Sequence, residues 1–170
     1  KADLKSLRQH IGVVMQNGKL FQGDIYSNIV ISAPWLTMDS AWEAAEMAGI
    51  ADDIRRMPMG MHTLISEGSG GISGGQRQRL MIARAIAPKP RILMFDEATS
   101  ALDNLTQKTV SDSLGRLKCT RIVIAHRLST IRQCDRILVL DQGKIIEDGT
   151  YEELLAAGGA YAELYRSQFA

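Results

Sequence analysis

One apolar stretch that ends in two carboxylates constrains this chain more than any other feature. Residues 92–95 are Ile-Leu-Met-Phe, and Asp96 and Glu97 follow them directly. An apolar run without polar alternation predicts a parallel strand that helices cover on both faces. Ligands of open parallel sheets bind beyond the carboxyl ends of the strands, so both carboxylates are candidate site residues. Neighbouring side chains of a strand point in opposite directions, which predicts different roles for the two; a solvated strand end is the alternative.

Size and composition exclude several classes of protein. The chain has 170 residues, which suits one domain, and its 20 basic and 19 acidic side chains give a formal charge of +1. This balance argues against a nucleic-acid surface built on bulk charge. No apolar run approaches the roughly 18 residues of a membrane span. Cys119 and Cys134 lack metal-site spacing, which fits a reducing compartment. Because the first residue is Lys, we expect a fragment of a longer protein.

Two further polar residues follow predicted strands. Residues 10–15 predict a buried strand that ends at Gln16, and residues 120–125 predict another that ends at His126. The amide oxygen of Gln16 can coordinate a cation, or the side chain can simply cap its strand. His126 is predicted at the same sheet edge as Asp96 and Glu97, where it can donate to a phosphate or serve as a structural hydrogen bonder.

A phosphate-binding loop between Gly12 and Gly18 is rejected on its spacing. Five residues separate these glycines where the motif requires four, and Leu20 follows Lys19 where Ser or Thr is needed. The stretch also coincides with the predicted strand.

The region between Gln16 and Leu64 shows little strand character and is predicted to be a mostly helical insert. Residues 40–43 (Ser-Ala-Trp-Glu) match a capping box for one helix, although a start near Thr37 is the alternative. A second helix is predicted at 50–57, and Pro58 stops it.

A glycine-rich stretch precedes the next helix. Five of the nine residues at 68–76 are glycine, which allows a ligand to approach the backbone closely. Ser73 is predicted to cap the helix that follows, and Pro88 and Pro90 end it. A helix start of this kind offers free N–H groups and partial positive charge to a phosphate, whereas a flexible surface loop is the alternative. The inward face of this helix is predicted to carry Leu80, Ala83 and Ile86.

The last third of the chain predicts helices and a hairpin. One helix is expected at 104–117, and two strands are expected around a turn at 141–143. Residues 150–153 (Thr-Tyr-Glu-Glu) match a capping box that opens a further helix. The inner face of the final helix is predicted to carry Tyr161, Leu164 and Tyr165.

Four segments, in this order, resemble the nucleotide-binding domain of ABC transporters. They are Ile-Ser-Gly-Gly-Gln at 72–76, Ile-Leu-Met-Phe-Asp-Glu at 92–97, Ser-Ala-Leu-Asp at 100–103, and His126. They are similar to the signature motif, Walker B, D-loop and H-loop of that family, and Val-Val-Met-Gln16 is similar to its Q-loop. The resemblance covers essentially the whole chain.

This resemblance implies an α/β fold of the P-loop NTPase-like, or RecA-like, kind. A mostly parallel sheet flanked by helices would be formed by residues 1–16 and 88–170, with an inserted α-helical subdomain at about 17–87. The family begins with an aromatic residue that stacks on adenine and with a Walker A loop, and neither is present. We therefore expect the N-terminal β-subdomain and Walker A to precede Lys1. The chain alone is expected to bind ATP weakly and not to hydrolyse it.

The resemblance also implies which residues bind nucleotide across a dimer. Two such domains pack head to tail and trap two ATP molecules. Ser73, Gly74 and Gly75, with Gln76 in the same motif, would contact the γ-phosphate held by the opposite subunit. Asp103 would act across the dimer, and hydrolysis would require dimerisation.

The sheet edge would supply the rest of each site. By the same resemblance, Asp96 would hold Mg²⁺ through water, with Gln16 nearby as a second metal-binding residue. Glu97 would orient and deprotonate the attacking water, and His126 would bind the γ-phosphate and stabilise developing charge. Glu97 and His126 are therefore the predicted catalytic residues.

The implied function is ATP-driven export. The segments 20–29 and 159–165 are similar to those of exporters that carry membrane and ATPase parts on one polypeptide. The glycine-rich run at 68–71 is similar to that of exporters of bacteriocin-like peptides. The expected partners are a second nucleotide-binding domain and a transmembrane domain, at the cytoplasmic face of the cell membrane, with no nucleic acid. A DNA-repair or chromosome ATPase is an alternative, although Gln76 and the lack of heptads disfavour it. A non-catalytic docking or dimerisation fragment is the other alternative.

Overall fold

The computed structural model describes residues 3–65, 71–96, 102–124 and 128–169, and the chain divides into two compact units after Ile124. The helices described in the first unit are α1 Leu4–Gln9, α2 Ile25–Val30, α3 Met38–Met47, α4 Ala51–Arg56, α5 Gly74–Ile86 and α6 Asn104–Gly115, with a 3-10 turn at Gly60–His62. Its strands are β1 Ile11–Val14, β2 Gly23–Asp24, β3 Leu64–Ile65, β4 Ile92–Asp96 and β5 Thr120–Ile124.

The three-stranded sheet of the first unit is parallel, as the apolar run at 92–95 predicts. Its strand order is β1-β4-β5, and both pairs run in the same direction. Val14 is the register partner of Phe95, and Asp96 is the register partner of Ile124. The chain therefore leaves these strands at one common edge, where Asp96 ends β4 and Gln16 follows β1.

The covered face of this sheet packs against α5. A Cβ atom built on Gly12 would lie 2.5 Å from the carbonyl oxygen of Ala85 and 2.8 Å from Cδ1 of Leu93. Gly12 thus allows the backbone of α5 to approach β1 closely, which explains this glycine without a phosphate loop. The predicted inward face of α5 is confirmed, because Leu80, Ala83 and Ile86 are fully buried.

The prediction that residues 120–125 form a buried strand is wrong in one respect. The strand β5 is present, but the side chains of Ile122 and Ile124 are 49% and 58% exposed. Val13 on β1 is exposed to the same degree, and register places Val13, Met94 and Ile122 in one row. The apolar run predicts burial on both faces, whereas the described helices bury the face that carries Val14, Leu93 and Phe95.

Between Gln16 and Leu64 the structure is mostly helical, as predicted. The third helix begins after Thr37, whose side chain accepts a hydrogen bond from the backbone N–H of Ser40. Thr37 is therefore the cap, and the box expected at Ser40 does not open the helix. The two-residue strands β2 and β3 pair with each other in this region.

The second unit contains α7 Leu128–Ile131, β6 Ile137–Asp141, β7 Lys144–Gly149, α8 Tyr151–Ala157 and α9 Ala160–Phe169. Strands β6 and β7 form the predicted hairpin, and Gln142 and Gly143 both adopt positive φ at its turn. Thr150 opens α8 with the predicted capping box. Tyr161 is buried as expected, whereas Leu164 is 54% exposed, so its assignment to the inner face is wrong.

Candidate functional site

The glycine-bearing start of α5 is held in a complete capping box. The Ser73 hydroxyl accepts from the Gln76 backbone N–H at 3.1 Å, and the Gln76 side-chain oxygen accepts from the Ser73 N–H at 2.9 Å. The predicted cap at Ser73 is therefore confirmed, and the Ser-x-x-Gln spacing could have predicted the reciprocal bond. Gly74 and Gly75 form the first turn, where backbone N–H groups have no acceptor within the helix.

Gly74 faces open space. Apart from its two chain neighbours and the backbone of its own helix, a Cβ atom built on Gly74 meets no atom of the described chain within 4 Å, and the φ of Gly74 lies outside the left-handed region. Among the described residues, therefore, neither packing nor backbone conformation requires glycine here. An absent side chain beside free N–H groups leaves room for a ligand oxygen to approach the helix start.

The oxygen and the nitrogen of the Gln76 side-chain amide both form hydrogen bonds. Its amide nitrogen donates to Oδ1 of Asp53 at 3.1 Å, while its oxygen serves the capping box. Asp53 also accepts from Nη1 of Arg79 at 2.8 Å, and Arg79 donates to the carbonyl of Gly49. Sequence reasoning missed this arrangement, because Asp53 is 23 residues from Gln76 and shares no motif with it.

Gln16 and Asp96 lie at the carboxyl edge of the sheet. Gln16 is exposed in the turn that follows β1, and Asp96 is the last residue of β4 and half-buried. Because β1 and β4 are adjacent parallel strands, the chain leaves both of them at the same edge of the sheet. Both residues therefore belong to the edge at which the sequence predicts a metal site, and their binding of a metal ion stays a prediction.

The loop after Gln16 is attached to the other end of α5. Asn28 is buried, and its side chain bonds the backbone N–H and carbonyl of Phe21 at 2.8 and 2.9 Å. Arg84 donates to the Asn28 side chain at 2.7 Å and to the carbonyl of Lys19 at 3.1 Å. Burial lowers the pKa of the Arg84 guanidinium below its ordinary value. One helix therefore carries the glycine turn at its start and holds the Gln16 loop near its end.

Asp103 opens a different helix. Its carboxylate accepts from the Thr106 backbone N–H at 2.9 Å and from the Thr106 hydroxyl at 2.7 Å. These bonds hold the pKa of Asp103 below its ordinary value. Asp103 thus has a structural task as the N-cap of α6, in addition to the cross-dimer role expected from sequence.

The two predicted catalytic residues, Glu97 and His126, lie outside the described residues. Within the described ranges, no group of three or more His, Cys, Asp or Glu side chains is arranged to hold a metal ion. No described helix combines the length and apolar character needed to cross a bilayer.

Comparison with known proteins gives consistent matches. The family model for ABC transporters matches residues 1–100. The chain is 46% identical to the alpha-hemolysin translocation ATP-binding protein HlyB of Escherichia coli O157:H7, over 98% of this chain and 24% of that protein. It is 48% identical to an ATP-dependent lipid A-core flippase of Bordetella avium, over 98% of this chain and 29% of that protein.

A solved structure has the same fold. It is a bacterial Atm1-family ABC exporter with ATP bound, with a TM-score of 0.92 and 42% identity, over 97% of this chain and 29% of that one. The α/β fold predicted from sequence is thereby confirmed. The chain spans 24 to 29% of the length of these relatives.

Proposed function

The chain belongs to the ABC transporter family, and on that premise we propose that it is the C-terminal part of the ATPase domain of an exporter. In this proposal, residues 1–16 and 88–170 belong to the RecA-like core, and about 17–87 form the helical subdomain. The intact protein couples ATP-driven dimerisation to export. The observation that carries the proposal is the capped helix start at Ser73, whose Gly74 faces open space.

ATP is the proposed substrate, and its γ-phosphate is the group that meets the start of α5. The helix offers backbone N–H groups, partial positive charge and the Ser73 hydroxyl, which together suit a phosphate oxygen. Because Gly74 carries no side chain, the phosphate of ATP held by a second copy can approach its backbone. The capping box supports this role, since it holds Ser73 and Gln76 in place before any ligand binds.

The sheet edge fits Mg²⁺ as the proposed cofactor. Gln16 and Asp96 supply an amide and a carboxylate oxygen at one edge, and both side chains are at least partly exposed. Mg²⁺ keeps several waters and is usually bound by one or two protein carboxylates together with substrate phosphates, so a small ligand set is sufficient. When bound, the ion would neutralise charge on the phosphates.

Glu97 and His126 complete the proposed site. Glu97 directly follows Asp96, and we assign it to orient the attacking water and accept its proton. His126 follows β5 and donates a hydrogen bond to the γ-phosphate, where negative charge develops. Asp103 of one copy acts near the nucleotide of the other while it caps its own helix.

The proposed partners are a second nucleotide-binding domain and a transmembrane domain, at the cytoplasmic face of the cell membrane. The identity of the cargo is a separate question. The relatives are named for alpha-hemolysin translocation and for a lipid A-core flippase, at nearly equal identity to this chain. Similarity in this region therefore does not select a class of cargo, and the membrane part is the proposed selector.

Two experiments test the proposal. ATP hydrolysis is measured for residues 1–170 and for a form extended upstream of Lys1; we expect turnover only in the extended form. In that form, Ser73→Arg should abolish ATP-induced dimers in size-exclusion chromatography, because the bulky side chain occupies the phosphate position. Ser32→Arg is the matched control, since it adds the same bulk at an exposed serine outside the proposed site and should still dimerise. Normal dimers and turnover in Ser73→Arg would contradict the proposal.

A further inference from the structure

The Asp53 carboxylate accepts hydrogen bonds from the side chains of two residues in the first half of α5. It belongs to α4, in the helical insert, and is only 27% exposed. Its two oxygens have different partners: Oδ1 accepts from the Gln76 side chain at 3.1 Å and Oδ2 accepts from Arg79 at 2.8 Å. One side chain thus contacts two successive turns of α5.

The hydrogen-bonding chemistry makes this contact directional. The Gln76 amide has a donor end and an acceptor end of nearly the same shape, and either end can face a neighbour. The Ser73 N–H can only donate, and the Asp53 carboxylate can only accept. With both present, the amide has one favourable orientation, in which its oxygen faces Ser73. Without Asp53, the amide nitrogen loses its acceptor, and only the bond from the Ser73 N–H holds the oxygen toward Ser73.

Arg79 reinforces the same attachment. Its side chain is 15% exposed and pairs with Asp53, and it also donates to the carbonyl of Gly49. Gly49 has a φ of +68° in the turn between α3 and α4. Hydrogen bonds to Gly49 and to Asp53 therefore attach the first half of α5 to α4 and to the turn before it. Both attachments depend on partly buried polar groups.

We propose that Asp53 is a positioning residue that holds the Ser73–Gln76 turn in the geometry required to receive a γ-phosphate, by fixing the orientation of the Gln76 amide. The inference rests on the proposed function, because the turn is the part assigned to meet the phosphate. It assigns Gln76 a supporting role, since both ends of its amide are occupied within the chain. In this role Asp53 contacts neither the nucleotide nor the attacking water.

The neighbouring residue Asp52 provides a matched control. It lies on the same helix and also pairs with an arginine, Arg55, at 2.9 Å. Its side chain is 78% exposed, and Arg55 belongs to α4 rather than to α5. Asp53→Ala and Asp52→Ala therefore remove the same group from the same helix, and each removes one ion pair with arginine.

Hydrogen exchange of the intact transporter, followed by mass spectrometry, tests the inference directly. In Asp53→Ala, peptides covering 71–79 should exchange roughly five- to tenfold faster, the usual worth of a lost hydrogen bond. Peptides covering 80–87 of the same helix should be unchanged, whereas a general loss of stability would accelerate both. Asp52→Ala should leave both unchanged. Unaltered exchange at 71–79 in Asp53→Ala would overturn the inference.

A kinetic measurement links the geometry to the reaction. Asp53→Ala should lower ATP turnover while nucleotide binding to the separate monomer keeps its affinity, because the turn serves the site of the other copy. Asp53→Asn keeps an acceptor for Gln76 and should recover most of the turnover. If Asp53→Ala does not fold, the same measurements are made on Asp53→Asn. Full turnover with accelerated exchange in Asp53→Ala would also overturn the inference. Failure of the proposed function is recognised separately, by normal turnover in Ser73→Arg.

Discussion

Asp96 and Ile124 are register partners at the ends of two adjacent parallel strands. Glu97 follows Asp96 directly, and His126 comes two residues after Ile124. Because parallel strands run in the same direction, the chain leaves both strands at the same edge of the sheet. Glu97 and His126 lie outside the described part of the chain, and we propose one reaction site for them on the resemblance of their motifs to those of ABC transporters.

Glu97→Gln should preserve ATP binding and remove turnover. The amide keeps the size of the carboxylate but cannot accept a proton from water, so the rate should fall by roughly 10² to 10⁴, the usual worth of a positioned general base. Phosphate release and nucleotide affinity are measured on the intact protein. Glu43→Gln is a suitable control, since this carboxylate pairs with Lys89 away from the sheet edge. A rate close to that of the unaltered protein would show that Glu97 is not the base.

Gly74→Ala should separate stability from activity. The added methyl group meets open space, and alanine has less backbone freedom in the unfolded chain, so the protein should be stabilised by about 0.4–1 kcal/mol. Turnover should nevertheless fall, by roughly 10²-fold if the phosphate is displaced by about 1 Å. Thermal unfolding and ATP hydrolysis are measured on the same sample.

Gly12→Ala is the opposite control for that variant. Its methyl group would lie 2.5 Å from the Ala85 carbonyl oxygen, so it should destabilise the protein by about 1–3 kcal/mol. Equal effects of the two substitutions on unfolding would contradict the different packing of these glycines.

These two glycines also show what sequence can and cannot predict. Spacing excludes Gly12 from a phosphate loop, but only the packing of α5 on β1 explains why glycine is there. The cap at Ser73 is local in sequence and was predicted, whereas the contact from Asp53 to Gln76 joins two helices and leaves no local pattern. The predicted burial of β5 is wrong because apolar residues alone do not specify which face of a sheet is covered.

Asn28→Ala should weaken the attachment of the Gln16 loop. Asn28 is 2% exposed, and its loss leaves the Phe21 N–H and part of the Arg84 guanidinium without their acceptor. An unsatisfied buried polar group costs about 1–3 kcal/mol, which should appear as a lower urea midpoint with an unchanged slope. Asn104→Ala, at the exposed start of α6, should change the midpoint far less. Similar midpoints for both variants would argue against the network.

The cap at Asp103 should make stability depend on pH. The Thr106 N–H and hydroxyl hold the pKa of Asp103 below its ordinary value, so the charged form is favoured in the folded protein. The stabilisation is therefore complete above the unfolded pKa of about 3.9 and is lost as the pH falls through the lower folded value. The difference in urea midpoint between the unaltered protein and Asp103→Ala should be constant from pH 7 to 5 and should shrink below about pH 4.

A control on the same helix makes this test specific. Asp112 is exposed and does not cap α6, so Asp112→Ala should shift the midpoint little at any of these pH values. A difference for Asp103→Ala that grows on acidification would contradict the predicted sign.

The most direct measurement is a structure of the intact dimer with Mg²⁺ and a non-hydrolysable ATP analogue. We expect the γ-phosphate to lie within hydrogen-bonding distance of Ser73 and the first N–H groups of α5 in one copy. The same phosphate should face the sheet edge formed by Gln16, Asp96 and Glu97 in the other copy. A nucleotide whose γ-phosphate contacts neither the helix start nor the sheet edge would contradict the account.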